Sequence, residues 1–483
     1  MSATPQYETI IGLEIHIQLN TQSKVFCACP ADSWGQPPNT NICPVCTGQP
    51  GVLPVLNEAV VAKAVRLATA VNCAEIQTRS FFDRKNYFYP DLPKGYQITQ
   101  YDEPIGRAGW LEIAMPDGAT RRLTIHKMHM EEDAGKTKND AGRGARLIDM
   151  NRCGVPLIEM VTAPDLRSAD EAAQFLMKLR HLLRWLDVSE ANMERAHLRC
   201  DANVSIRAAG ETKLNKKTEI KNVNSIEAVR TAIEAEAARQ MAEVGAGRPV
   251  EAWTLDWDEE TQTLRKMRSK ETEADYRYFR EPDLLAVVVD EAARARLLAA
   301  MPELPEARRA RLRRDHRLPA YDAGLLTEER ALADYYEAAV AAFGGEPKVM
   351  ANWVQNEILR LAREQNAPVS ALGLTPEHLA ELATLVESKA ITRQTAVGLM
   401  PKVMESGQAP RALVAAEGLG QISGDEALRD LARQVLAENP KEVEAYRAKP
   451  TLLKWFVGQV MRKSKGKANA PAVEAILAEL LAE

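Results

Sequence analysis

The sequence predicts an α+β fold: a strand-rich domain over residues 1–300, an all-helical domain over 301–407 and a small helical tail domain over 408–483. Three observations predict it. Period-two alternation marks strands in the first region. Capped, amphipathic stretches mark helices. From Met301 onward the composition turns to Ala, Leu, Arg and Glu, and every cysteine precedes that point.

The elements follow in chain order. In Ile11 to Asn20, the side chains of Ile11, Leu13, Ile15, Ile17 and Leu19 share one face, and those of Glu14, His16, Gln18 and Asn20 share the other. That is a strand with one apolar and one polar face. Ser168 with Glu171 forms a capping box ahead of Phe175, Leu176, Leu179, Leu182, Leu183 and Leu186. Leu198 to Arg207 alternates again, with Asp201, Asn203, Ser205 and Arg207 on the polar side. Met301 to Pro305 is the expected first boundary, and Ser406 to Pro410 the second. Thr375 with Pro376 opens one helix of the later region, and Ser423 with Glu426 opens another.

Hydrophobic residues make up 46% and charged residues 27%, which excludes disordered and fibrous classes. No run of ~18 apolar residues appears, so no membrane span is expected. Met1 to Pro5 lacks a basic or apolar signal segment, and seven cysteines is an odd number. Both predict a reducing, cytoplasmic setting without a disulfide framework. With 62 basic against 67 acidic residues the net charge is −5, so any nucleic-acid contact has to come from local basic patches.

Cys27-Ala-Cys29 and Cys43-Pro-Val-Cys46 place two thiol pairs in one loop. Four thiolates suit tetrahedral zinc, and an all-sulfur shell leaves no position for water, so the expected site is structural. Cys73, Cys153 and Cys200 are expected in the core. Glu14 and His16, the run His129 to Asp133, and Glu159 at the end of Asp149 to Glu159 put carboxylates into apolar segments. An unpaired charge there is costly. Oxygen ligands with an imidazole suit Mg2+ or Mn2+ beside phosphates, although a solvated sheet face fits the spacing equally well. Because strand neighbours face opposite ways, only one of Glu131 and Glu132 is expected to join Glu14 and His16.

Phe82 to Tyr96 sets Arg84, Lys85 and Lys94 among aromatics. The mixture fits phosphate clamping with base stacking, or an ordinary aromatic loop. Arg308, Arg309, Arg311, Arg313, Arg314 and Arg317 crowd one helical stretch, and Arg462, Lys463, Lys465 and Lys467 form a second cluster. Each reads as contacts to a nucleic-acid backbone or as a solvated charged surface. Phosphate-loop, dinucleotide, zincin and nucleophile-elbow motifs are missing. Nitrogen drawn from an amide donor would therefore have to be released by another protein.

Taken in order, these segments resemble the B-type member of the aspartyl/glutamyl-tRNA(Asn/Gln) amidotransferases, the GatB family. The carriers are Ile11 to His16, Pro50 to Asn57, Phe82 to Tyr96, His129 to Lys136, Asp149 to Glu159, Leu198 to Asn203, Glu219 to Asn222 and Asp275 to Phe279. Phe456 to Met461 and Lys465 to Asn469 extend the resemblance over nearly the whole chain.

The resemblance implies a glutamine-synthetase-like catalytic domain, a helical domain and a small helical tail domain, and the basic cluster Arg462, Lys463, Lys465 and Lys467 is the expected tRNA contact on that tail. It implies two further proteins in the amidotransferase: an amidase partner that frees ammonia from glutamine, and a small third partner. ATP would activate the side-chain carboxylate of misacylated Glu-tRNA(Gln) or Asp-tRNA(Asn), with Arg84, Lys85 or Arg152 on its phosphate oxygens. Mg2+ would be held by Glu14, His16, Glu159 and one of Glu131 and Glu132. Zinc cysteines belong to some relatives only, so zinc on Cys27, Cys29, Cys43 and Cys46 rests on spacing. Two rival readings are a non-catalytic tRNA-binding scaffold with a structural zinc and a free-standing ATP-grasp-type ligase.

Overall fold

In a computed structural model of the chain, strand Tyr7–Gln18 buries Ile11, Leu13, Ile15 and Ile17 and turns Glu14 and His16 the other way. The residues described are 7–115, 118–140, 142–269, 275–420, 425–446, 449–464 and 467–482. The chain divides into two units, 1–304 and 305–483.

Tyr7–Gln18 lies at the middle of a nine-stranded sheet in the first unit. The order is Thr263–Ser269, Trp253–Asp258, Thr218–Lys221, Leu198–Ala208, Tyr7–Gln18, Pro156–Thr162, Thr120–Glu132, Gly106–Ala114 and Glu75–Ile76. Thr218–Lys221 and Trp253–Asp258 pair parallel, the other neighbours antiparallel. Helices Glu58–Ala70, Ala169–Trp185 and Ile226–Gly245 supply Val65, Leu179 and Val229 to the core that takes in Leu13, Ile15, Met130, Met160 and Val204. Each such side chain contributes about 1.5–3 kcal/mol by leaving water. One sheet face is thereby spent on the core, and the other is free to carry polar side chains. Ser168 caps its helix as expected, accepting from Glu171 N at 3.1 Å.

The second unit is helical, and two apolar clusters organise it. The first gathers Leu312, Tyr336, Trp353, Leu382 and Leu399, and it extends to Leu413. Helix Pro410–Ala416 therefore packs with the helices before it, and the expected break at 407/408 falls inside this core. The second gathers Leu428, Phe456, Val460, Val473 and Leu477. Thr375 caps Pro376–Glu387 by accepting from His378 N at 3.2 Å. Ser423 lies outside the described residues.

Two of the arginines of Pro305–Asp315 are tied into the fold, whereas Arg313 and Arg314 are exposed. Arg308 is buried and pairs with Asp334 and Glu337, and Arg311 pairs with Glu337, all on helix Arg330–Phe343. No helix among the described residues is long and apolar enough to cross a membrane.

Candidate active site and cysteine cluster

Register builds the site. His16 on Tyr7–Gln18 stands opposite Glu159 on Pro156–Thr162, and Glu159 stands opposite His129 on Thr120–Glu132. On the other side His16 faces Arg199 of Leu198–Ala208, and Glu14 faces Asp201. Strands pack about 4.8 Å apart, so residues at one register level bring their side chains within reach. His16 Nε2 lies 3.5 Å from Glu159 and 3.8 Å from Glu131. His129 Nε2 lies 3.6 Å from Glu159 and 3.5 Å from Glu131. The ligand atoms of Glu14, His16 and Glu159 all fall within 4.8 Å of one another, as do those of His129, Glu131 and Glu159.

Glu132 points to the opposite side of its strand. It accepts from Lys94 and, at 2.9 Å, from Ile98 N. Of the adjacent pair, Glu131 is the one brought to His16 and Glu159.

Packing carboxylates and imidazoles together shifts the proton equilibria of Glu14, His16, His129 and Glu159. Glu14 is raised, first by burial and then by the neighbouring Glu159. Burial also pushes Glu159 upward, but the charge and hydrogen bonds of His129 and His16 outweigh it and hold Glu159 well below the carboxylate range. Burial works against a charged His129, yet Glu159 and Glu131 carry it up to about 9. His16 is raised for the same reasons. The arrangement is a pocket of negative charge that stabilises cations. The carboxylates shift both imidazoles toward their charged forms, and a divalent ion with oxygen and nitrogen ligands fits the same donors.

Lys85 belongs to this site. Burial disfavours its charge, and Glu131, Tyr278 and Glu159 overcome that, so its pKa is raised. Its ammonium lies 4.9 Å from the Tyr276 ring. The Phe82–Tyr96 and Asp275–Phe279 segments meet here, because Phe279–Arg280, Asp83–Asn86 and Tyr96–Thr99 form a three-stranded sheet.

Arg84 is not brought to the cluster: it makes bonds of 2.7 and 2.8 Å to Glu281 and 3.1 Å to Asp283. Arg152 donates to the carbonyls of Ala134 and Gly135, at 2.9 and 2.7 Å, and lies 3.4 Å from Asp133. Arg199 holds the same Asp133 at 2.8 Å.

Cys27, Cys29, Cys43 and Cys46 also converge, with all four sulfurs within 4.8 Å of one another. In a tetrahedral zinc–thiolate shell with bonds of ~2.3 Å, sulfurs sit roughly 3.8 Å apart. The four-cysteine cluster can therefore hold a zinc ion. Cys46 is lowered, first by the hydrogen bond from Cys27, then by Cys43 and by Lys24, whose Nζ is 3.6 Å away. Cys27 and Cys29 are raised. Cys153 and Cys200 are buried and Cys73 is half-buried.

Residues 9–295 match the family described as GatB/GatE catalytic domain, and residues 334–481 match the one described as GatB domain. The chain is 47% identical to the B-type chain of the aspartyl/glutamyl-tRNA(Asn/Gln) amidotransferase of Thermodesulfovibrio yellowstonii, over 99% of this chain and 100% of that protein. The corresponding amidotransferase chain of Thermosynechococcus vestitus is 47% identical over 99% and 97%, and that of Chlorobium phaeobacteroides 46% over 98% and 99%. The chain belongs to the GatB family.

In this GatB chain, four residues at or beside the cluster carry no assigned role from sequence: His129, Arg199, Asp201 and Lys221. His129 has a local signal, since it lies two residues before Glu131 and so shares its face. Arg199 alternates with Asp201 in the same way, and Asp201 pairs with Lys221 across the sheet. In the GatB tail, Arg462 and Lys463 end helix Leu453–Lys463. Lys463 pairs with Glu438, and Lys467 donates to Gly418 O at 2.6 Å. Lys465 lies outside the described residues.

Proposed function

We propose that this chain is the ATP-dependent activating component of a tRNA amidotransferase. It phosphorylates the side-chain carboxylate of a misacylated Glu-tRNA(Gln) or Asp-tRNA(Asn) and amidates it with ammonia released by an amidase partner, in a complex completed by a small third protein. The observation that carries this reading is the convergence of Glu14, His16, His129, Glu131 and Glu159, drawn from three strands, on one face of the sheet.

A carboxylate resists ammonia because its charge repels the nucleophile and oxide is a poor leaving group. Phosphorylation supplies the leaving group. Mg2+ bound by Glu14, His16 and Glu159 would offset charge on the transferring phosphate. Lys85 adds a fixed positive charge at the same place and suits the phosphate oxygens. Arg84 and Arg152, engaged by Glu281 and by backbone carbonyls, serve as framing residues rather than clamps. Tyr87, Tyr276 and Tyr278 pack edge to edge next to Lys85 and would help keep water from an acyl phosphate, which hydrolyses. Zinc on the four cysteines would stiffen the 27–46 loop, and the helical tail gathered around Leu428, Phe456 and Leu477 would hold tRNA away from the reacting end. A scaffold that only grips tRNA gives no role to five converging ionisable side chains.

Glu14→Gln tests this reading. The variant should bind misacylated tRNA normally and lose tRNA-dependent ATP cleavage, measured as ADP release from the complete complex. Unchanged ADP release would overturn the assignment.

A further inference from the structure

We propose that Lys24 is the internal counter-charge of the four-cysteine cluster, donating to the Cys46 thiolate and tightening the cluster's hold on zinc. This rests on the zinc reading above and adds a residue to it. Lys24 is 0% exposed. A lysine is almost never buried so completely unless its charge is paired. Its Nζ donates to Asn41 O at 2.8 Å and to Cys46 Sγ at 3.6 Å, and these are its side-chain partners among the described residues. Neither is a carboxylate. A carbonyl offers only a dipole, so the charge has to be answered by sulfur, and sulfur answers it only as a thiolate.

The need is mutual. Four thiolates outweigh the charge of one dication, so a zinc-loaded cluster is itself an anion. Lys24 meets it on its closed side: Cys46 is the buried member of the four, and Cys27, Cys29 and Cys43 are half-buried.

Backbone seals that side. A Cβ on Gly154 would lie 3.3 Å from Cys46 Cβ and 3.6 Å from Lys24 Cδ, so the glycine packs directly on both. Gly154 accepts from Val25 N and donates to Asp133 O, both at 2.9 Å, and Lys24 N donates to Cys29 O at 2.9 Å. The loop that carries the cysteines and the lysine that answers them are thus held in one frame. Water is kept from the N–H···S contact, and a charge-assisted bond is strongest where water is excluded.

Zinc affinity of the full chain, read by competition with a chromophoric chelator, is the first test. Lys24→Met should raise the zinc Kd roughly 10–100-fold, the usual effect of removing a group that hydrogen-bonds a metal ligand. The cobalt-substituted chain supplies the second. Losing an N–H···S bond raises the energy of the sulfur lone pairs, so the thiolate-to-cobalt absorption of Lys24→Met should move to longer wavelength, which loosened packing alone does not produce. Because the replaced residue is buried, the unmutated chain also decides. Amine acylation, read by mass spectrometry, should spare Lys24 in the zinc-loaded chain and modify it after chelation. An unchanged Kd or an unmoved cobalt band in Lys24→Met, or equal acylation of Lys24 with and without zinc, overturns the counter-charge role and leaves the zinc reading standing. No zinc bound by the unmutated chain overturns both.

Discussion

Arg84 and Lys85 are neighbours in sequence and serve different ends. Strand geometry turns them to opposite sides. Lys85 faces Glu131 and Glu159, whereas Arg84 meets Glu281 in a two-bond pair and stacks on Tyr96 with its guanidinium 4.1 Å from the ring. The Glu281 side chain is 0% exposed, so its charge has no recourse to water once Arg84 is gone. Breaking such a pair from one side costs about 3–5 kcal/mol, because the remaining charge stays buried. Arg84→Met should therefore lower the free energy of unfolding in urea by that amount. Lys85→Met should weaken ATP binding, read as a raised nucleotide Kd in the complete complex. Equal midpoints for the unmutated chain and Arg84→Met would show that Arg84 is not part of the frame.

At the scale of elements, what the sequence discloses is periodicity, and what it withholds is pairing. Alternation in Tyr7–Gln18 and Leu198–Ala208 identifies which side chains share a face, because a period of two depends on nothing beyond the strand itself. Ser168 and Thr375 mark helix starts because a cap is satisfied within four residues. Register is different: that His129 stands across from Glu159, or that Arg84 finds Glu281, depends on segments many residues away. The same limit hides the role of Arg308 and Arg311, which read as a basic run until helix Arg330–Phe343 supplies Glu337.

That seam has a pH consequence. Burial raises Glu337, but the hydrogen bonds and charges of Arg311 and Arg308 outweigh it and leave its pKa below the ordinary 4.5. A group depressed on folding stabilises the fold above its unfolded value and loses that contribution as pH falls through its folded value. Glu337→Gln should be less stable than the unmutated chain at pH 7, and the gap should narrow once pH drops below about 4.5. Thermal melts from pH 7 to pH 3 check this. A gap independent of pH would mean the pair contributes through packing alone.

For the whole molecule, a net charge of −5 means that a polyanion is repelled unless it meets a local cationic patch. Arginines tied into the Glu337 seam are poor candidates, since a phosphate would have to displace a carboxylate already in place. The tail lysines are better placed. Lys463 is held by Glu438 in an exposed pair worth roughly 0–1 kcal/mol, which a phosphate can exchange at little cost. Lys467 donates to one backbone carbonyl and keeps further N–H donors in reserve. Each phosphate contact releases condensed counterions and contributes about 0.7–0.9 to the slope of log K against log salt. Replacing Lys463, Lys465 and Lys467 together by Gln should therefore weaken tRNA binding most at low salt and flatten that slope by up to ~3. Reading the slope rather than one affinity separates lost phosphate contacts from general loosening of the tail, which lowers affinity equally at every salt concentration. An unaltered slope in the triple variant would place the tRNA-binding surface elsewhere on the chain.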